Sequence, residues 1–205
     1  MRDKISKICR DLEQRDSIKI LFAVENGSRA WRMASEDSDY DVRFVYARPL
    51  KEYLQIKRPE QVINASFDEN GNPCTENAFI DLSGFDIFKY AELLSKSNPT
   101  TIEWLITDIV YYGKQNEVFQ NFALNYFSKT SLYHHYRSLC RDNYTRLIQS
   151  KKKVTHKVYL YAFRGLINAL WVVHKESVPP IVFQDALQEM EGLSLIHISE
   201  PTRPY

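Results

Sequence analysis

Asp39 and Asp41 open the segment Asp39-Tyr40-Asp41-Val42-Arg43-Phe44-Val45-Tyr46, which alternates in polarity and is rich in β-formers. On a strand, residues two apart point to the same face, so their carboxylates stand side by side, roughly 6–7 Å apart along the backbone. Two hard-oxygen groups at that spacing suit one or two Mg²⁺ ions that also take oxygens from a triphosphate. Two such ions stabilise the attacking and the leaving oxygen of an in-line displacement. The plain alternative is an acidic turn, Ser35 to Asp41, facing water. Asp-x-Asp alone is a weak signal.

Gly27-Ser28 lies ten residues before that pair. Glycine lets the backbone approach a phosphate closely, and successive N–H groups can form an anion nest. The Ser28 hydroxyl adds a donor. A short helix from Arg29 to Met33 would aim its positive N-terminus at the same place. Read alone, the Gly-Ser pair is a strand-ending turn. Read together, an apolar strand, Gly-Ser and Asp-x-Asp opening a second strand form a much more specific pattern.

Elements must hold these residues in place. Ile5, Ile8, Cys9 and Leu12 mark one face of a helix over residues 1–15. Ile18–Val24 reads as a buried strand and Asp39–Tyr46 as a second. Pro49–Lys57 reads as a helix. Val62–Phe67 and Ala78–Leu82 flank Asn70-Gly71-Asn72-Pro73 and read as a hairpin. Asp86 precedes a helix over Ile87–Lys96 as its N-cap. Thr100–Leu105 reads as a short helix. Beyond Val110 the strand signals fade, and Val118–Phe127, Ser131–Ser150, His156–Lys175 and Phe183–Glu191 carry helical spacing. The expected class is therefore α+β: a small mixed-sheet domain over residues 1–110 and an all-α helical lobe over residues 111–192.

The apolar strand, Gly27-Ser28 and Asp39-Tyr40-Asp41 together resemble the nucleotidyltransferase superfamily of DNA polymerase β. ENGSRAW, SDYDVRFVYARP, DLSGFDIFKYAELLSKSNPTTIEWL and HKVYLYAFRGLINALW narrow the likeness. They resemble a polymerase β-like family of predicted nucleotidyltransferases named after an RNA-repair pathway, over about Glu25 to Gly192. The resemblance implies a polymerase β-like catalytic domain that moves an NMP from an NTP, ATP foremost, to a hydroxyl, with two Mg²⁺ ions. It implies a third carboxylate that helps deprotonate the acceptor. Asp81 is the natural candidate and Asp86 the rival, so the metal set is Asp39, Asp41 and Asp81. Gly27, Ser28 and Arg29 would hold phosphates. One departure stands out: family members commonly carry a small residue, often Gly, after the Trp, where this chain has Arg32.

Lys157, Tyr161 and Arg164 follow at spacings of four and three, which puts them on one helix face. They are candidates for triphosphate oxygens and a base or ribose. A packed Tyr161 with solvated cations is the alternative. Between Lys129 and Arg164 stand nine basic residues and one acid, Asp142, which suits a phosphate-rich partner such as RNA. Arg146 and Lys151-Lys152-Lys153 belong to that run.

The remaining composition excludes more than it assigns. The chain has 205 residues, is 44% hydrophobic and carries a formal charge of +1. Its 13 Tyr and 11 Phe speak for a folded core rather than a disordered chain. No apolar stretch approaches the length of a membrane span, and the charged N-terminus has no leader-like apolar region. Cys9, Cys74 and Cys140 fit neither a disulfide framework nor a zinc spacing, in keeping with a reducing cytoplasm. No GxxxxGK[ST] and no GxGxxG after the first strand occur. Leu193–Tyr205, LSLIHISEPTRPY, is expected to be read-through of a transposase-type sequencing adapter and is set aside.

Three other readings stay in play: the same transfer onto a protein side chain or a small molecule, a non-catalytic nucleotide-binding module, and a nucleic-acid adaptor. The last leaves the Gly-Ser and Asp-x-Asp pair unused.

Overall fold

The structure, a computed structural model, describes residues 1–145 and 156–197. Arg146 and Lys151-Lys152-Lys153 lie outside the described residues. Contacts divide the chain into two units, Met1–Tyr126 and Phe127–Tyr205, so the division falls later than residue 110.

In the first unit, α1 (Arg2–Asp16) buries Ile5, Ile8, Cys9 and Leu12, the stripe its spacing predicts. It ends at Ser17, whose left-handed backbone and N–H to the Glu13 carbonyl close the last turn. The apolar run becomes β1 (Lys19–Glu25), followed by one turn of helix, α2 (Gly27–Ala30). Then come β2 (Tyr40–Ala47), a single turn α3 (Leu50–Tyr53), β3 (Val62–Phe67) and β4 (Ile80–Asp86). Next are α4 (Ile87–Ser95), α5 (Pro99–Ile106), β5 (Val110–Gly113) and α6 (Glu117–Asn125).

The five strands form one mixed sheet in the order β3-β4-β2-β1-β5. The β1/β2, β1/β5 and β3/β4 pairs are antiparallel, whereas β2 and β4 run parallel. The α+β expectation therefore holds. Several bounds differ from the sequence reading: α2 covers Gly27–Ala30 rather than Arg29–Met33, so Gly27 and Ser28 lie inside its single turn, and β4 runs from Ile80 to Asp86 rather than from Ala78 to Leu82. β5 is a strand where none was expected. α3 stops at Tyr53 rather than Lys57, because Leu54 and Ile56 are exposed and offer no face to bury.

Strand alternation sorts the core into two layers. Val42, Phe44 and Tyr46 of β2 and Ile80 and Leu82 of β4 join the α1 stripe in one cluster. Gly84 belongs to this face: a Cβ there would lie 2.2 Å from the Phe44 ring, so the ring occupies the space a side chain would need. On the other face α4 packs against β2 and β4. There Trp104 meets Phe85 at 4.9 Å and Tyr90 at 5.7 Å, and Tyr90 meets Phe22 edge-on. A register shift between Ile20 and Phe22 lets β1 serve both layers.

The second unit holds α7 (Lys129–Asn143), α8 (His156–Lys175) and α9 (Phe183–His197). A Cβ on Gly165 would lie 2.8 Å from the Cys140 backbone nitrogen, so this glycine lets α7 and α8 pack at backbone distance. Among the described residues no helix is long and apolar enough to cross a membrane.

Candidate active site

The end of β1 and the starts of β2 and β4 meet at one edge of the first unit. The parallel register sets Asp41 directly beside Asp81. Both point to the face opposite the α1 cluster, since their neighbours Val42, Ile80 and Leu82 fill that cluster.

The turn after β1 wraps Asp41. The Asn26 N–H donates to the Asp41 carbonyl at 2.8 Å, and the Asn26 amide donates to Asp41 Oδ2 at 3.4 Å. Gly27 has φ +64°, and a Cβ on it would lie 2.6 Å from Asp41 Oδ2. Glycine is required here both for the left-handed backbone and for the closeness of the carboxylate. Ser28 is buried, and its carbonyl accepts from the Met33 N–H at 2.8 Å.

Arg29 has a structural task. Its Nε donates to the Asp39 carbonyl at 3.1 Å, its Nη2 donates to the Ser38 carbonyl, and its guanidinium lies 3.9 Å from the Tyr40 ring centroid. It thereby ties α2 to the segment leading into β2. Asp39 itself is exposed, just ahead of that strand. Arg32 adopts φ 58°, a left-handed backbone held here without glycine. Its guanidinium pairs with Asp108 at 2.6 Å.

Two further groups escaped the sequence reading. Glu25 is 1% exposed. One of its oxygens accepts from the Asp41 N–H at 2.9 Å and the other from the Tyr111 hydroxyl at 2.5 Å. Burial pushes the Glu25 carboxyl up from its ordinary value, and these two donors only partly offset that. Burial and the Glu25 charge together raise the Tyr111 phenol. The second group is Arg43, whose guanidinium pairs with Asp41 Oδ1 and reaches Asp81 Oδ2 at 3.3 Å. Its spacing of two from Asp41 was the available signal, because it shares that face of the strand. Glu25 left a fainter signal: an acid closing an apolar strand.

Burial raises the Asp41 carboxyl above its ordinary value. The Arg43 charge and the Asn26 amide oppose this, and the charges of Asp81 and Asp39 add to it. Among the described residues no group of three or more His, Cys, Asp and Glu side chains is gathered as a metal cluster. The expected trio is thus an Asp41–Asp81 pair with Arg43 between, and Asp39 nearby. Asp86, the rival third carboxylate, caps α4 by accepting from the Phe88 N–H at 2.9 Å and also accepts from the Tyr53 hydroxyl at 2.6 Å.

In the second unit, Lys157 is exposed on α8, with its ammonium 5.8 Å from the Tyr161 ring centroid. Arg164 is only 3% exposed, so the three residues do not form one uniformly solvent-facing surface.

The chain matches the RNA repair pathway DNA polymerase beta family over residues 1–197. It is 32% identical over 192 residues to the protein YcgL of Bacillus subtilis (strain 168), covering 93% of this chain and 70% of that protein. It also overlays on a nucleotidyltransferase-like protein from Exiguobacterium sibiricum 255-15 with 11% identity and a TM-score of 0.37, covering 96% of this chain and 69% of that one. The family match and the identity to YcgL suffice: this nucleotidyltransferase-like chain belongs to the RNA repair pathway DNA polymerase beta family.

Proposed function

We propose that the chain transfers a nucleoside monophosphate from an NTP to a hydroxyl acceptor and releases pyrophosphate. The observation that carries this reading is the register of Asp41 beside Asp81, next to the positive-φ turn at Gly27. The donor chemistry fits a divalent metal: both groups are hard-oxygen carboxylates, and a positive charge, Arg43, already sits between them. Asp41 and Asp81, with Asp39, would hold Mg²⁺, two ions in the full reading, which supplies charge stabilisation to the attacking and leaving oxygens.

The protein's own groups divide the remaining work. The N–H groups at Gly27 and Ser28 bind phosphate oxygens of the NTP, ATP foremost. Asp81, with its side chain 44% exposed, takes the proton of the incoming hydroxyl. That oxygen bonds to the α-phosphorus as the bond to pyrophosphate breaks. Glu25 holds the Asp41 backbone in place from behind. Arg29 supports the phosphate turn through its bonds to Ser38 and Asp39. In the helical unit, taken by itself, Lys157, Tyr161 and Arg164 are the candidate nucleotide contacts on α8, with Arg164 buried.

The acceptor we favour is an RNA end in the cytoplasm, in keeping with the family description and the basic run. A protein side chain or small molecule would use the same chemistry. A second reading, a non-catalytic nucleotide-binding module, draws on Arg43 standing between the carboxylates. The test is incubation with each labelled NTP, Mg²⁺, and RNA or protein acceptors. The control carries Asp39→Ala and Asp41→Ala. Transfer that survives in the control sinks the proposal, and absence of transfer to any acceptor favours the module.

A further inference from the structure

Asp41 and Asp81 each divide their oxygens in the same way. Asp41 receives the neutral Asn26 amide on Oδ2 and Arg43 on Oδ1. Asp81 receives the neutral Ser66 hydroxyl on Oδ1 at 3.3 Å and Arg43 on Oδ2 at 3.3 Å. The two oxygens left after the neutral donors are thus both taken by one guanidinium. A planar fork with separate N–H groups suits this task, and a single ammonium does not.

The arrangement has an electrostatic reason. Adjacent parallel strands lie about 4.8 Å apart, so neighbouring carboxylates in register repel unless a cation separates them. Arg43 supplies that cation from within the chain. Its side chain is 19% exposed, and its Nη1 also donates to the Val42 carbonyl at 3.2 Å, so it is held rather than trailing in solvent.

We propose that Arg43 is a resident counter-ion of the Asp41–Asp81 pair and competes with divalent metal for it. The inference rests on the metal-dependent reading above. Arg43 keeps the pair together in the metal-free protein, and the guanidinium releases at least one carboxylate oxygen when metal enters. Linkage then requires that whatever stabilises the Arg43 bridge weakens metal binding by the same factor. Arg43 is a positioning residue here, acting through the two carboxylates.

The experiment is a Mn²⁺ titration of the full chain followed by electron paramagnetic resonance, without nucleotide, beside thermal melts in EDTA and in Mn²⁺. Arg43→Gln is expected to bind Mn²⁺ about fivefold or more tightly than the unsubstituted protein, the lower end of common coupling strengths. It should also melt lower in EDTA and gain more from Mn²⁺. Arg43→Lys, which keeps the charge but not the fork, should fall between the two. Arg43→Gln binding no tighter than the unsubstituted protein overturns the inference and leaves the transfer reading standing. Failure of all three proteins to bind Mn²⁺ without nucleotide overturns the inference, and failure that persists with an NTP present overturns the transfer reading as well. Release can also be followed without substitution, by NMR of the Arg43 guanidinium hydrogens. They should be protected from exchange in EDTA and lose that protection on Mg²⁺ addition. Protection that persists at saturating Mg²⁺ overturns the inference.

Discussion

The backbone N–H of Asp41 donates at 2.9 Å to Glu25, a carboxylate with 1% exposure that also accepts from Tyr111. A buried side chain from the end of β1 thereby sets the position of a candidate metal ligand on β2. Replacing Glu25 with Ala strands two buried donors, so it should cost about 2–4 kcal/mol in urea unfolding. Glu25→Gln keeps an acceptor for Asp41 and turns a donor towards the Tyr111 oxygen. It should retain most of the stability and, with it, most of the transfer rate. Equal loss in both variants would show that the charge, rather than the hydrogen bonding, matters.

Gly27 packs closely against Asp41 in the turn after β1. An added methyl would meet Asp41 Oδ2 at 2.6 Å on a backbone of φ +64°. Gly27→Ala should cost about 1–2 kcal/mol from the backbone alone. Displacing Asp41 should lower kcat by about a hundredfold, the scale seen when reacting groups are misplaced by an ångström. Steady-state kinetics beside a denaturant melt separates the two effects.

Arg32 tests how the loop tolerates a residue other than glycine. Its φ of 58° lies where glycine sits freely, and its ion pair with Asp108 is solvent-exposed and worth little. Arg32→Gly should leave stability within about 1 kcal/mol, because relief of strain is offset by the freer unfolded chain. Arg32→Val, β-branched, should lose about 1–2 kcal/mol. Thermal melts of both variants decide the matter, and a well-tolerated Val would mean that the loop does not need this conformation.

Glu13 gives the fold an acid limit. Burial pushes its carboxyl up, but the Tyr112 hydroxyl, the Ile20 N–H and the Lys19 ammonium outweigh that and hold it below its ordinary value. A lowered folded value contributes stability that is fully present above the unfolded pKa of about 4.3 and is lost as pH falls through the folded one. The stability gap between the unsubstituted protein and Glu13→Gln should therefore be constant from neutral pH to about 5 and close below about 4. Urea melts across that range would show it, and a gap that persists in acid would assign the effect to packing.

The sequence made some of this architecture readable and hid the rest for physical reasons. The α1 stripe, β1, β2 and the Asp86 cap are local, so periodicity and direct neighbours reveal them. β5 is four residues long at a sheet edge, too short for a pattern. The pairing of Asp41 with Asp81 depends on β4 running parallel to β2, which spacing alone does not dictate. Arg43 escaped the sequence reading although its spacing of two puts it on the face of Asp41, because its reach to both carboxylates depends on the neighbouring strand. Lys157, Tyr161 and Arg164 follow helical spacing, yet Arg164 is buried, because spacing does not say which part of a face is covered.

The parallel pairing of β2 and β4 also sets an order of assembly. The β3/β4 hairpin closes between Phe67 and Ile80, whereas Asp41 meets Asp81 across forty residues of chain. Contacts that distant form slowly, because loop closure must come first. A refolding chain can thus regain its helices and the hairpin while the two carboxylates are still apart. Recovery of Mn²⁺ binding should lag behind recovery of the far-ultraviolet signal in stopped-flow refolding, making metal binding a late marker of the native sheet.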